Sequence, residues 1–284
     1  MTPCFLGNTL ARPVTANHPL QRYRGGGLPA LLTALLLPGL TLAAGLNDTG
    51  VTQCANLTQN GQTCPQPSFP SQDAETGRDA QIGLTKAGGG TAGFDFTKLD
   101  SSGVPLDAVA ASWDCVRDNV TGLIWEVKTD DDGLRDKDWT YTWYNPDPTT
   151  NGSTDPSANS GTGDGAGSTG GTTCGGFLSD QCNTQAYAAA VNALNPALCG
   201  YHDWRMPTIE ELHSIVDYSR ESPVPAIETA YFPRTPAFIW FWSASPYARN
   251  AGLAWGISEE GIASHNDNEK GEAYKAVRLV RGGQ

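Results

Sequence analysis

Six cysteines, Cys54, Cys64, Cys115, Cys174, Cys182 and Cys199, follow an apolar leader, and no other feature narrows the possible folds as much. In an exported chain an even set implies oxidised pairs, because thiols are kept reduced mainly in the cytosol. Six cysteines admit fifteen connectivities. Local spacing favours Cys54 with Cys64 and Cys174 with Cys182, which leaves Cys115 with Cys199. Metal ligation is the rival reading, but no CxxC pair occurs and the histidines are scattered. Disulfides are therefore the expectation.

The case for export rests on residues 1–44, which have the layout of a signal peptide. Arg22 and Arg24 flank a short apolar core broken by Pro38-Gly39, and small residues follow at Ala43 and Ala44. That core falls short of the roughly 20 residues a membrane-spanning helix needs, so the membrane is met only through export. A secreted or cell-surface location is expected, with the periplasm as the other option. Net charge is −12, and the leader carries only Arg12, Arg22 and Arg24, so the rest is more acidic still. Such a surface repels phosphate backbones, which argues against nucleic-acid partners.

Residues 45–72 are polar and aperiodic and read as an extension holding one cysteine loop. Residues 73–284 read as one domain. A strand is expected around Phe94 to Leu99, then a turn at Asp100 to Gly103. In GLIWEVK, Leu123, Trp125 and Val127 alternate with Ile124, Glu126 and Lys128, the pattern of a half-buried strand. Residues 145–173 are rich in Gly, Ser and Thr and cannot bury enough apolar surface to offset ordering, so a flexible loop is expected there. Asn183-Thr184 can cap a helix carrying Tyr187, Val191 and Leu194 on one side. A second helix begins at Thr208, where Glu211 three residues on completes a capping box, and Ile209, Leu212, Ile215 and Val216 form its apolar stripe. Short strands return in IWFWSAS, LAWGIS and YKAVRLVR. Two helices among short antiparallel strands and long loops make an α+β domain.

Five ordered blocks, CVRDNVTGLIWEVKT, YTWYNPD, CGYHDWRMPTIEELHSIVDYS, WFWSASPYA and VRLVRGG, resemble the C-terminal-domain family of the Legionella collagen-like adhesin. The resemblance runs from about Gln66 to Gln284. It implies a C-type-lectin-like fold, distantly related to formylglycine-generating enzymes, and a role in surface display and contact. The adhesin's sulfated glycosaminoglycan ligands call for a basic surface, which this acidic chain lacks. The formylglycine chemistry depends on a late cysteine pair, and no cysteine follows Cys199.

Candidate binding residues are the aromatics Trp240, Trp242 and Trp255, together with the polar run Asn266, Asp267 and Asn268. Alternation puts Trp240 and Trp242 on one face and Phe241 on the other, so at least one face must be core. Calcium wants six to eight oxygens, and the loop of Asp130, Asp131 and Asp132, with Asp136 and Asp138, is rich in them. Asp203, Trp204 and Arg205 read as a structural corner ahead of the capped helix, with Arg205 gripping a carboxylate and Trp204 buried. No nucleophile elbow, HExxH or phosphate loop is present, so no enzyme is expected. The expected function is a non-catalytic, secreted binding or adhesion domain for a glycan or a surface protein, with oligomers possible. The other reading is a structural or assembly subunit of a surface appendage.

Overall fold

The computed structural model describes residues 47–152, 174–178, 182–220, 225–236, 239–258, 264–272 and 275–282, all within one compact unit, Thr41–Gln284. The expected signal peptide, residues 1–44, and most of the Gly/Ser/Thr-rich stretch 145–173 lie outside the described residues. The architecture is α+β. Strands β1 (Phe96–Leu99), β2 (Cys115–Asp118), β3 (Ile124–Glu126), β4 (Trp240–Pro246), β5 (Leu253–Ser258), β6 (Ser264–Glu269), β7 (Lys275–Ala276) and β8 (Val280–Arg281) form two four-stranded sheets, ordered β1-β2-β3-β8 and β6-β5-β4-β7. All pairings are antiparallel except β4 with β7. Among the described residues three α-helices accompany them: a single turn α1 (Asp73–Thr76), then α2 (Thr184–Asn192) and α3 (Ile209–His213).

Both longer helices start where their capping residues sit. The Asn183 side chain accepts the Ala186 N–H at the start of α2. At α3 the Thr208 hydroxyl accepts the Glu211 N–H, while Glu211 accepts the Thr208 N–H, so two otherwise orphaned donors are satisfied. Ile209, Leu212, Ile215 and Val216 all reach the core.

The alternation in GLIWEVK is present, but the strand is not half-buried. Leu123, Trp125 and Val127 face a core with Phe96, Val116, Leu212 and Phe241, whereas Ile124 faces a second core with Tyr141, Trp143, Tyr187 and Val191. Because β3 lies between β2 and β8 and is covered on both faces, Glu126 and Lys128 are buried too. Periodicity reported which residues share a face and could not report that the polar face was covered.

Glu126 ties the two sheets together. Its Oε1 accepts the Tyr187 hydroxyl, and Lys128 Nζ lies 3.5 Å from the same oxygen and 2.8 Å from the Tyr187 Oη. Oε2 accepts the Leu279 N–H at 3.0 Å, and the Glu126 carbonyl accepts Arg278 Nη1 at 2.9 Å. Residues 277–279 carry the chain from β7 in one sheet to β8 in the other. A single carboxylate therefore holds β3, α2 and that crossing together. A buried charge needs such partners, because desolvation otherwise costs several kcal/mol.

Buried lysines recur against aromatic faces. Lys98 lies 3.6 Å from the Trp113 ring centre, Lys270 4.0 Å from Trp143, and Lys275 4.4 Å from Trp242. Each ring face supplies negative potential to a cation that has left water.

The cysteines pair as Cys54–Cys64, Cys115–Cys199 and Cys174–Cys182. The second links β2 to the segment entering Trp204. The extension docks on the domain: the Asp48 carboxylate accepts the Gly93 N–H, and the Thr49 carbonyl accepts the Tyr218 N–H at 2.8 Å. No helix among the described residues is long and apolar enough to cross a membrane.

Candidate functional site

A groove of about 450 Å³ opens between α2 and two loop walls. Its floor is the α2 face of Thr184, Gln185, Ala188, Ala189 and Asn192, which helical spacing places side by side. One wall is Trp143 to Asn145, and the other is Trp204 to Met206 with Ala244 of β4. Small side chains at Ala188 and Ala189 keep the floor low.

Polar bonds fix both walls. The Thr184 Oγ1 accepts the Tyr144 N–H at 3.0 Å and donates to the Tyr144 carbonyl at 2.9 Å. The Asn192 amide does the same at the other end, donating to the Trp204 carbonyl and accepting its N–H, both at 2.8 Å. Arg205 is held by a bidentate fork to Glu211 at 2.7 and 2.6 Å and by the Gly282 carbonyl at 3.0 Å. Its backbone pairs in both directions with Val280 at 2.9 Å. Trp204 is buried, and its indole N–H reaches the Leu198 carbonyl. Asp203 grips Arg281 at 2.7 and 2.9 Å, which holds its carboxyl below the usual range, and Arg281 covers the Tyr201 ring at 3.7 Å. The Asp-Trp-Arg corner thus shapes the groove through structural bonds.

Two groove groups keep free hydrogen-bonding capacity among the described residues: the half-buried Tyr144 phenol and the exposed Gln185 amide. The charge of Arg205 is already matched by Glu211.

The tryptophans expected to meet a ligand do not form a platform. Trp242 has 0% of its surface exposed, and its indole N–H donates to the Tyr141 carbonyl at 2.7 Å. That face of β4 is core, because the Tyr141–Trp143 segment packs across it. Trp240 is partly buried at the start of β4. Trp255 is partly buried against the first core and meets Tyr247 edge-on at 5.6 Å. Asn266, Asp267 and Asn268 lie on β6, with Asn268 opposite Ala254, but their side chains are outside those described.

In the acidic loop, Asp130, Asp136 and Asp138 converge, whereas Asp131 and Asp132 give their N–H groups to Asp136 and the Asp131 carboxylate accepts the Gly133 N–H. Asp136 is buried and accepts the N–H groups of Asp131, Asp132 and Asp138 at 2.7, 2.8 and 2.9 Å. Lys137 Nζ lies 3.1 Å from Asp130 and 2.8 Å from Asp138. An ammonium thus stands between the two exposed carboxylates, and a calcium ion would have to displace it. Elsewhere, a smaller apolar crevice of about 30 Å³ lies among Leu212, Ile215, Ile227 and Phe241 and offers few polar contacts.

Among the histidines, His202 Nδ1 contacts the Asn192 carbonyl at 2.7 Å. His213 Nδ1 contacts the Tyr218 hydroxyl at 2.7 Å, and burial lowers its pKa.

Sequence reasoning missed Tyr144 and Gln185. YTWYNPD marked a conspicuous aromatic block, yet nothing in it told the wall-forming Tyr144 from the buried Tyr141 and Trp143.

Residues 114–281 match the model of the Lcl C-terminal domain family. No curated protein and no solved structure matches the chain.

Proposed function

Since the chain belongs to the Lcl C-terminal domain family, we propose that it is an exported, non-catalytic binding module that presents the groove over α2 to a surface ligand. Family membership and three disulfides together support an adhesin-related exported domain. The groove carries the reading. It is concave, largely apolar, rigidly walled, and has a few open polar groups, as ligand sites of roughly 300–1,000 Å³ do. A lectin-like assignment rests on the α+β plan of two small sheets with short helices and disulfide-tied loops.

The non-catalytic part of the reading rests on chemistry. Acid–base or nucleophilic catalysis needs a positioned pair within hydrogen-bond reach of a substrate pocket. The groove offers a phenol and an amide with no basic or acidic side chain bonded to either among the described residues, and a guanidinium bound to its own carboxylate. Binding labelled full-length protein to fixed cells and to extracellular-matrix coats tests the proposal. Saturable retention supports it, and retention no better than that of the reduced, unfolded chain refutes it.

A further inference from the structure

Resting on that reading, we infer that the groove is a subsite for an uncharged, hydroxyl-rich saccharide, with Tyr144 stacking on a sugar ring and the Gln185 amide bonding its hydroxyls. Four observations lead there.

The first is charge. Among the described residues Arg205 is the one cationic side chain lining the groove, and Glu211 neutralises it through a two-pronged fork. The chain as a whole carries −12. A sulfated or carboxylated ligand would meet a spent cation inside a repulsive field, whereas a neutral ligand loses nothing to that field.

The second is the supply of partners. Thr184 and Asn192 spend their side chains holding the walls. What remains open among the described residues is one phenol and one primary amide. Such groups both donate and accept, which is what a hydroxyl needs.

The third is surface. Ala188, Ala189 and Met206 form an apolar floor and edge, and small alanines let a flat ring come close. The Tyr144 ring, half-buried on the wall, supplies an aromatic face for the C–H side of a pyranose.

The fourth counts against an extended peptide. A peptide strand would have to pair its backbone with a free edge. Here the Tyr144 N–H bonds Thr184, the Trp204 N–H bonds Asn192, the Arg205 N–H bonds Val280, and the Ala244 N–H bonds Pro207. Strand β4 pairs with β7 only at Trp240 and Phe241, but over the groove its Ala244 N–H is already taken by Pro207.

The test is calorimetric titration of the full chain with neutral hexasaccharides of glucose, mannose and N-acetylglucosamine, and with a heparin hexasaccharide as the anionic probe. Tyr144→Ala and Gln185→Ala remove the two open groups. Ala189→Trp fills the groove from an exposed helix position, and Val109→Ala is a remote exposed control. We expect at least one neutral sugar to bind, insensitive to salt, with affinity falling roughly tenfold or more in Tyr144→Ala and Ala189→Trp and unchanged in Val109→Ala. Binding of heparin alone, of no neutral sugar, or equal binding by Ala189→Trp would overturn the inference. Running Ala189→Trp in the cell and matrix assay separates the two claims. Saturable retention that survives filling the groove leaves an exported binding module standing but sinks the groove as its site, and the saccharide subsite with it; loss of retention by the wild-type chain sinks the module.

Discussion

The three disulfides should differ sharply in what they contribute, and their loop lengths give the order. Cross-linking removes entropy from the unfolded chain in proportion to the logarithm of the loop closed. Cys115–Cys199 closes a separation of 84 residues, against 10 for Cys54–Cys64 and 8 for Cys174–Cys182. The loop-entropy relation converts these to about 4.6, about 2.7 and about 2.5 kcal/mol. The sulfurs of Cys115–Cys199 lie in the second core, as do those of Cys174–Cys182, so alanine replacement adds a packing loss to both and the loop lengths set the order between them. A domain with a typical stability of about 5–15 kcal/mol would be left near its limit by loss of the long bridge alone. Urea unfolding of the three double cysteine-to-alanine variants, monitored by tryptophan fluorescence, measures the order directly. The Cys115/Cys199 variant should lose the most, by about 2 kcal/mol over either of the others. A loss equal to or smaller than that of the Cys54/Cys64 variant would refute the reasoning, since it would mean that the long loop is already closed in the unfolded chain or that the junction at Trp204 holds without it.

Three further outcomes follow from the polar groups that hold the core and the corner. Glu126→Gln removes the charge that Lys128, Tyr187 and the Leu279 N–H converge on, and should cost about 3–5 kcal/mol in urea unfolding; a cost below about 1 kcal/mol would show that the carboxylate does not tie the sheets. Burial lowers Lys128 from 10.5 to about 8, so above pH 8 the unfolded chain binds the extra proton and stability rises with pH toward 10.5. Burial also holds Tyr141 and Tyr187 protonated well above 10, so their contribution turns against folding once pH passes 10. Urea midpoints at fixed ionic strength should therefore climb between pH 8 and about 9.5 and then flatten, and a steady fall across that window would contradict the burial of Lys128. Arg205→Lys keeps the charge but loses the fork to Glu211 and the bond to Gly282; it should lower stability by about 1–2 kcal/mol, with no loss meaning that the corner is held by Trp204 packing alone.

How much of this could be read from the sequence depends on how local the cause is. Asn183 and Thr208 announced their helices because a cap acts within three residues. The cysteine pairs were readable because two of them are short loops and the third was what remained. Arg205 and Trp204 looked structural and are, although which carboxylate would grip the guanidinium was not written in the text. Glu126 was read as facing water because its polarity alternates cleanly with Trp125, and only the packing of α2 across it shows otherwise. Trp242 misled as a site marker for a related reason. A large aromatic is as good a core residue as a binding residue, and Trp242 became core once Tyr141 lay over it. The groove depends on two alanines and on wall bonds between residues 40 and 12 positions apart, which no periodic pattern records.

A crystal structure of the full chain with the neutral hexasaccharide that binds most tightly puts the saccharide groove most directly at risk. The account predicts a sugar ring against Tyr144, a hydroxyl within hydrogen-bond reach of the Gln185 amide, and an undisturbed Arg205–Glu211 fork. Electron density for the sugar on β6 or around Trp255, with the floor of Ala188 and Ala189 bare, would contradict it.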